Sequence, residues 1–219
     1  MNLNNLQAFA HSLIENNRAE CDFVEYKKSY KQEDKILKTI CAYANNFMNR
    51  DYGYLFIGIE EQDDKASGVK AIPIRPITGL LEGELEVAEN HIKSLFKYIQ
   101  PTPTCHFISD QIDGKWYFIV VVEPSNRLTE VTDKGAHKTK LSKGGRYIRV
   151  NRDTVLPNTR QEYELLRKFA GYSFCDDFHA TATLDDLNYE YMKEYLVKTN
   201  AAQDLRKLPK EEMAKMLKL

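Results

Sequence analysis

The sequence of 219 residues has little cysteine, and no two cysteines stand at a spacing that binds zinc. Its four cysteines are Cys21, Cys41, Cys105 and Cys175. Because a structural zinc site needs closely spaced cysteine or histidine pairs, we expect neither zinc nor structural disulfides. Long apolar runs are also missing, and the opening residues carry no basic leader. These absences predict a cytoplasmic protein that has no contact with a membrane.

The motifs of several enzyme classes are absent as well. A Walker loop requires a lysine after its second glycine, whereas the segment from Gly53 to Gly58 is followed by Ile59. The sequence has no Gly-x-Ser-x-Gly elbow, and its five histidines lie in unrelated contexts. Neither ATP hydrolysis nor a nucleophilic triad is therefore expected. The remaining chemistry is that of carboxylates and basic side chains.

An excess of positive charge is missing, but the cations are concentrated in two segments. The formal net charge is −1, from 31 Lys and Arg against 32 Asp and Glu. The first segment contributes Lys27, Lys28, Lys31, Lys35 and Lys38. The second, in which glycines are interleaved, contributes Lys134, Lys138, Lys140, Lys143, Arg146, Arg149 and Arg152.

Clustered cations beside flexible glycines favour contact with the phosphates of a nucleic acid. We predict that the whole second segment binds in this way, together with Lys27, Lys28 and Lys38. Tyr147, inside the second segment, is a candidate for stacking on unpaired bases. The alternative for such a run is a solvated loop, and the alternative for the tyrosine is ordinary packing.

The chain is organised around a strand, a helix and a second strand between Glu20 and Asp64. Apolar residues from Ile36 to Met48 recur at helical spacing, and the run from Tyr54 to Ile59 is almost wholly apolar. This order predicts two strands joined by a buried crossover helix. The acids at the strand ends, which converge if the strands are neighbours, are Glu20, Glu25, Glu60, Glu61, Asp63 and Asp64.

Glu20, Glu25 and Glu61 are the candidate catalytic and metal-binding residues, with Glu60 as the alternative third member. Such carboxylates bind Mg²⁺ or Mn²⁺, which can polarise a phosphodiester. Because Glu20 and Glu25 are an odd number of residues apart, a continuous strand would place them on opposite faces. They meet only if the chain turns near Cys21. The alternative is that these acids are solvated or pair with neighbouring lysines.

The remaining patterns predict an α+β fold in which helices cover a mixed β-sheet. Residues 4–16 and 85–99 have the periodicity of amphipathic helices, and Asp113-Gly114 has the composition of a hairpin turn. We expect the α+β domain to occupy residues 1–156. Residues 157–219 have only helical patterns and form the predicted helical extension.

Within the extension, Asp185-Asp186 is the predicted start of a helix, because aspartate is favoured in the first turn.

The order and spacing of these residues resemble the Schlafen AlbA-like family, for which a DNA-binding role in bacterial regulators is often proposed. The residues that carry the resemblance are Glu20, Glu25-Tyr26-Lys27, Asp34, Lys38, Ala42-Tyr43-Ala44-Asn45, Gly53 and Ile57-Gly58-Ile59-Glu60-Glu61. The sequence departs from the family at Tyr26, where Phe is usual, and at Tyr52, which replaces a glycine. It also has a glutamate where eukaryotic Schlafens place their third catalytic aspartate. The resemblance implies the N-terminal part of a longer, bacterial-type protein, in which the helical extension leads to further domains beyond Leu219.

We predict a nucleic-acid-binding domain of a transcriptional regulator or a defence protein, acting on DNA or RNA. One alternative, which the resemblance supports, is a metal-dependent endoribonuclease that uses Glu20, Glu25 and Glu61. Another is a module that pairs with a second copy of itself and binds no nucleic acid. Salt-dependent binding and Mn²⁺-dependent cleavage separate these three functions.

Overall fold

The computed structural model describes residues 3–132, 144–170, 183–199 and 207–217. Backbone contacts divide the chain into two compact units, Met1–Gly171 and Tyr172–Leu219. The first unit combines a mixed sheet with helices, and the described part of the second unit is helical. The predicted α+β class is confirmed.

The described residues form α-helices and mostly short strands. The α-helices are α1 Leu3–Glu15, α2 Glu33–Asn45, α3 Leu85–Leu95, α4 Thr159–Phe169, α5 Tyr189–Lys198 and α6 Lys210–Leu217. The strands are β1 Val24–Lys27, β2 Gly53–Ile57, β3 Glu61–Gln62, β4 Ile72–Pro73, β5 Ile99–Gln100, β6 Cys105–Ile112, β7 Lys115–Val122, β8 Glu130–Val131, β9 Ile148–Val150 and β10 Asp153–Val155. Among the described helices, none combines the length and apolar character needed to cross a membrane.

The main sheet has four strands in the order β1-β2-β7-β6. β1 and β2 are parallel, with Glu25 opposite Leu55 and Lys27 opposite Ile57. β7 pairs antiparallel with both β2 and β6. Since parallel neighbours need a crossover connection, α2 joins β1 to β2 as the sequence predicts. β1 is consequently an edge strand of this sheet.

Helices cover both faces of the sheet, and the alternation of side chains decides which residues meet which helix. One apolar cluster joins the sheet to α1 and includes Leu6, Ala10, Ile14, Val24, Tyr26, Tyr54 and Phe56. The other joins it to α2 and α3 and includes Ile36, Leu37, Ile40, Leu55, Ile57, Ala88 and Ile92. Because Glu25 and Lys27 alternate with Val24 and Tyr26, both charged side chains face the α2 side.

β6 and β7 form the hairpin that Asp113-Gly114 predicts. Asp113 and Gly114 have φ angles of 56° and 71°, and Ile112 pairs with Lys115, so the loop has two residues. A two-residue turn with positive φ at both positions follows the twist of the flanking strands. The turn therefore sets the register of the buried strand β7.

In the second unit, α5 begins after the predicted start at Asp185-Asp186. These two aspartates lie in a short 3-10 helix, Leu184–Asp186. Asn188 caps α5, since its Oδ1 accepts hydrogen bonds from the amides of Glu190 and Tyr191 at 3.0 and 3.2 Å. An asparagine at this position satisfies amides of the first turn that lack helical partners. The apolar cluster of the unit contains Met192, Leu196, Met213 and Ala214.

The end of α2 is fastened to distant parts of the first unit by the buried side chain of Asn45. Its Oδ1 accepts a hydrogen bond from the Thr129 amide at 2.8 Å. Its Nδ2 donates to the carbonyls of Thr129 and Tyr147 at 2.9 and 2.8 Å. Asn46, with a φ of 43°, makes the left-handed turn that ends the helix. Asn45 thus holds the segment before β9 against α2.

Candidate nucleic-acid interface

The chain turns at Cys21, just before β1, as the convergence of Glu20 with Glu25 requires. The Cys21 amide donates to the Val24 carbonyl at 3.0 Å, and Glu20 Oε1 accepts from the Tyr26 amide at 2.9 Å. Glu20 is thereby folded back along the free edge of β1. Lys27 lies between the two acids, because its Nζ is 3.8 Å from Glu20 Oε1 and pairs with Glu25 Oε1.

Arg149 of β9 completes a group of buried charges at this edge. Its Nη2 forms an ion pair with Glu25 Oε2, and its Nε donates to the Cys21 carbonyl at 3.0 Å. Its Nη1 donates to Thr154 Oγ1 of β10 at 2.9 Å. The guanidinium therefore joins the β9–β10 hairpin to β1. We call this group the buried charge cluster: Glu20, Glu25, Lys27 and Arg149.

The electrostatics of the cluster favour a proton on Glu20. Burial raises the pKa of Glu20 to about 7, and the nearby charge of Glu25 adds to this effect. Lys27 and the Tyr26 amide act in the opposite direction, and Glu61 contributes a smaller increase. Glu61 is itself exposed on β3. The three predicted carboxylates are thus within electrostatic range of one another.

The buried charge cluster does not fit a metal ion. Within the described ranges, no group of three or more His, Cys, Asp and Glu side chains could hold one. Both oxygens of Glu25 pair with cations, namely Lys27 and Arg149, so side chains supply the positive charge that an ion would bring. Protonation of Glu20 also weakens it as a ligand. The binding of Mg²⁺ or Mn²⁺ by Glu20, Glu25 and Glu61 stays a prediction that this geometry does not support.

Lys38 is the point at which the two basic segments meet. Its Nζ donates a hydrogen bond to Asp34 Oδ2 at 2.7 Å and lies 5.4 Å from the centroid of the Tyr147 ring. Lys38 belongs to α2, whereas Tyr147 directly precedes β9. Segments that are far apart in the sequence are therefore neighbours in the fold.

The other predicted cations differ in exposure. The Lys28 side chain is 54% exposed and pairs with Glu60 at 2.8 Å. Arg152 is exposed between β9 and β10. Arg146 is half-buried and lies 3.3 Å from Glu162 and 3.6 Å from Glu130. Four further lysines fall outside the described residues: Lys134, Lys138, Lys140 and Lys143.

Comparison with known proteins identifies the family of this arrangement. A family model described as Schlafen, AlbA_2 matches residues 20–158. The chain belongs to the Schlafen AlbA_2 family. The matched range includes the whole buried charge cluster and both residues of the Lys38–Tyr147 contact. Comparison with curated proteins found no match.

Two solved structures are similar to this AlbA_2 protein. One is the N-terminal domain of a protein from Nitrosomonas europaea named as related to the ATP-dependent DNA helicase RecG. It is 21% identical, covers 53% of this chain and 71% of its own, and gives a TM-score of 0.40. The other is the DIP2311 protein from Corynebacterium diphtheriae, which is 16% identical. It covers 95% of this chain and 40% of its own, and gives a TM-score of 0.45.

Two of the predicted nucleic-acid contacts are corrected by the position of their side chains in the AlbA_2 domain. Lys27 is 6% exposed and Arg149 is 2% exposed, so a phosphate cannot reach either of them in this conformation. The physical reason is that strand alternation directs Glu25 and Lys27 to the covered face, where the carboxylate requires buried cations. Of the cations predicted to contact nucleic acid, those that the structure describes outside the interior are Lys28, Lys38, Arg146 and Arg152.

The AlbA_2 domain also has a cavity of about 330 Å³ that the sequence interpretation missed. It is lined by Phe9, Phe23, Arg50, Asp51, Tyr52 and Tyr54. Most of these residues stand at the starts of β1 and β2. Because parallel neighbours begin at the same edge of a sheet, the aromatic residues before the two strands were an available signal. We call this feature the aromatic cavity.

The raised pKa of Glu20 predicts a pH-dependent contribution to stability, which Glu20→Gln removes. Between the ordinary pKa of 4.5 and the folded-state value of about 7, the folded protein binds more protons than the unfolded chain. The stabilisation that Glu20 contributes is therefore fully present below pH 4.5 and is lost as the pH rises through about 7. From about pH 5 to about pH 8, we expect the variant to gain about 2 to 3 kcal/mol of unfolding free energy relative to the original protein.

Urea unfolding of both proteins at several pH values measures this difference, in which the titration of all other groups largely cancels. A difference that stays constant over the range would contradict the assignment of the raised pKa to Glu20. Glu20→Gln keeps an oxygen that can accept the hydrogen bond from the Tyr26 amide.

Proposed function

We propose that this AlbA_2 domain binds nucleic acid, DNA or RNA, as part of a transcriptional regulator or a defence protein. The observation that carries the proposal is the contact of Lys38 with Tyr147, which unites the two basic segments. A polyanion that lies along α2 would then meet cations from both segments. A net charge of −1 does not oppose such binding, since the local distribution of charge governs it.

The position of Lys38 suits this role because it is fixed before a ligand arrives. Partial burial is the largest single influence on the Lys38 amine and opposes its charge, but the hydrogen bond and negative charge of Asp34, together with Tyr147, outweigh it and raise the pKa of the amine. Lys35 lies on the same helix, three residues away, and is exposed. Residues at this spacing are neighbours on one side of a helix. Both lysines therefore add positive charge to the same side of α2, and Lys38 does so beside Tyr147.

The affinity of such a surface would come mainly from the release of counterions from the phosphates. This term is independent of sequence and weakens as salt rises. Tyr147 adds a ring on the same surface, although it is only 5% exposed. The proposal therefore assigns the main binding energy to lysine and arginine rather than to stacking at Tyr147.

Substitution of Lys35 and Lys38 together by glutamine tests the proposal. Because two phosphate contacts would be lost, we expect affinity at low salt to fall about tenfold, and the slope of log affinity against log salt to become less negative by about 2. Fluorescence anisotropy with labelled single strands and duplexes of DNA and RNA measures both quantities. The matched control replaces Lys65 and Lys70 by glutamine, since both are exposed between β3 and β4.

Equal losses in the two double variants would show that these lysines act only through net charge. If the original protein binds neither DNA nor RNA at any salt, the proposal fails. Light scattering on the same samples then tests the remaining alternative, a module that associates with a second copy of itself.

A metal-dependent endoribonuclease is the second candidate. The observation in its favour is that Glu25 and Glu61 both raise the pKa of Glu20, so three acids share one locality. The ion pairs of Glu25 with Lys27 and Arg149 stand against it. We therefore derive no catalytic step from these residues.

Glu61→Gln distinguishes this candidate from simple binding. Glu61 is exposed, so the substitution should leave the melting temperature unchanged. If the protein is a nuclease, cleavage of a structured RNA in Mn²⁺ should be lost in this variant while binding is retained. Absence of cleavage by the original protein, or full cleavage by Glu61→Gln, would reject a catalytic role for Glu61 and leave the binding proposal intact.

A further inference from the structure

We infer that the aromatic cavity is a binding site for one unpaired base of a single-stranded nucleic acid. This inference rests on the proposed function, since it names the part of the nucleic acid that the domain would hold. The cavity volume of about 330 Å³ is at the lower end of the range of about 300 to 1,000 Å³ for small-molecule sites. A single base with its sugar is a ligand of this class.

The cavity has an aromatic floor and an accessible aromatic wall. Tyr54 is only 3% exposed, whereas Phe9 of α1 is 45% exposed. Their ring centroids are 5.3 Å apart, and the rings are inclined at 53°. A large exposed phenylalanine that adjoins a cavity is available as a stacking surface. Stacking on such rings is how proteins hold unpaired bases without pairing to them.

Arginines lie at the same place as the aromatic rings. The guanidinium carbons of Arg18 and Arg50 are 5.5 and 5.8 Å from the centroid of the Phe23 ring. Arg50 is also held by an ion pair with Asp22. A guanidinium plane can stack on a base, and its charge attracts the phosphate attached to that base. The combination of rings and guanidinium groups thus suits a nucleotide.

The cavity also presents polar groups that could meet the edge of a base. Asp51 is among the lining residues, and its carboxylate can accept hydrogen bonds from amino and ring N–H groups. The hydroxyl of Tyr54 remains protonated, because burial and the nearby Tyr52 and Asp51 raise its pKa to about 12. These groups are few and lie beside the rings, as in sites that orient a flat ligand.

The occupied faces of the Phe23 ring favour a nucleotide over a cationic ligand. Aromatic cavities can hold quaternary ammonium groups through the faces of their rings. In this cavity the guanidinium groups of Arg18 and Arg50 already lie over the ring of Phe23, so that ring is not open to a second cation. The same two guanidinium groups attract the phosphate of a nucleotide, against the opposing charges of Asp22 and Asp51.

Binding in the cavity is tested by replacing Phe9 and Phe23 together with leucine, which removes the rings and keeps apolar bulk. We expect affinity for a single-stranded oligonucleotide to fall about tenfold, while affinity for a duplex changes less than twofold. The matched control is Tyr163→Leu on α4, where the tyrosine is 63% exposed and outside the cavity. A 2-aminopurine in the oligonucleotide should show quenched fluorescence on the original protein and lose this quenching in the double variant.

The outcomes separate this inference from the proposed function. If the original protein binds neither single strands nor duplexes, both fail. If it binds single strands and the double variant matches Tyr163→Leu, only the aromatic cavity is excluded. Stronger binding of a trimethyl-lysine peptide than of a single strand, dependent on Phe9 and Phe23, would also overturn the inference. The single variant Phe9→Leu, at an exposed position, gives the same comparison if the double variant does not fold.

Discussion

A negative charge buried on an edge strand is the constraint on which the rest of the AlbA_2 domain depends. Glu25 is 7% exposed, and it is tolerated there because Lys27 and Arg149 pair with its two oxygens. Removing one partner from a buried ion pair typically costs about 3 to 5 kcal/mol, since a charge is left without compensation. Two side chains of the buried charge cluster also cover the free edge of β1. Arg149 donates to the Val24 carbonyl at 3.4 Å, and Glu20 accepts from the Tyr26 amide. An edge strand covered in this way is protected from pairing with another chain.

The proposed interface and the aromatic cavity are both positioned by this arrangement. Arg149 draws the β9–β10 hairpin to β1, and Asn45 holds the segment before β9 to α2, so that Tyr147 meets Lys38. The turn at Cys21, whose carbonyl accepts from Arg149, directly precedes Phe23 of the cavity. The family residues Glu20, Glu25 and Lys27 therefore hold the proposed binding elements in place, whereas the cations proposed to touch nucleic acid lie around them.

The parts of this structure that local chemistry dictates could be predicted from the sequence. The apolar spacing of α2 and the apolar run of β2 predict the crossover unit, and Asp113-Gly114 predicts the hairpin. Strand alternation also predicts that Glu25 points with Lys27. The role of Arg149 could not be predicted, because a buried arginine and an exposed one look alike within a basic run. Its burial depends on a carboxylate more than a hundred positions away. The aromatic cavity has a signal in the aromatic residues before β1 and β2, but its wall also includes Phe9 of α1, whose place against those strands no local pattern gives.

The most direct test of this account is the nucleic-acid affinity of a protein whose buried pair has been replaced by apolar residues. Arg149→Met alone should destabilise the fold by about 3 kcal/mol or more, and adding Glu25→Leu should recover part of this loss. The account predicts that nucleic-acid affinity follows stability in these variants. It falls in Arg149→Met, where the β9–β10 hairpin loses its anchor to β1, and returns in the double variant as apolar packing restores the fold, because neither residue contacts the ligand. A double variant that retains its stability and loses binding would contradict the account, since the buried pair would then belong to the interface itself.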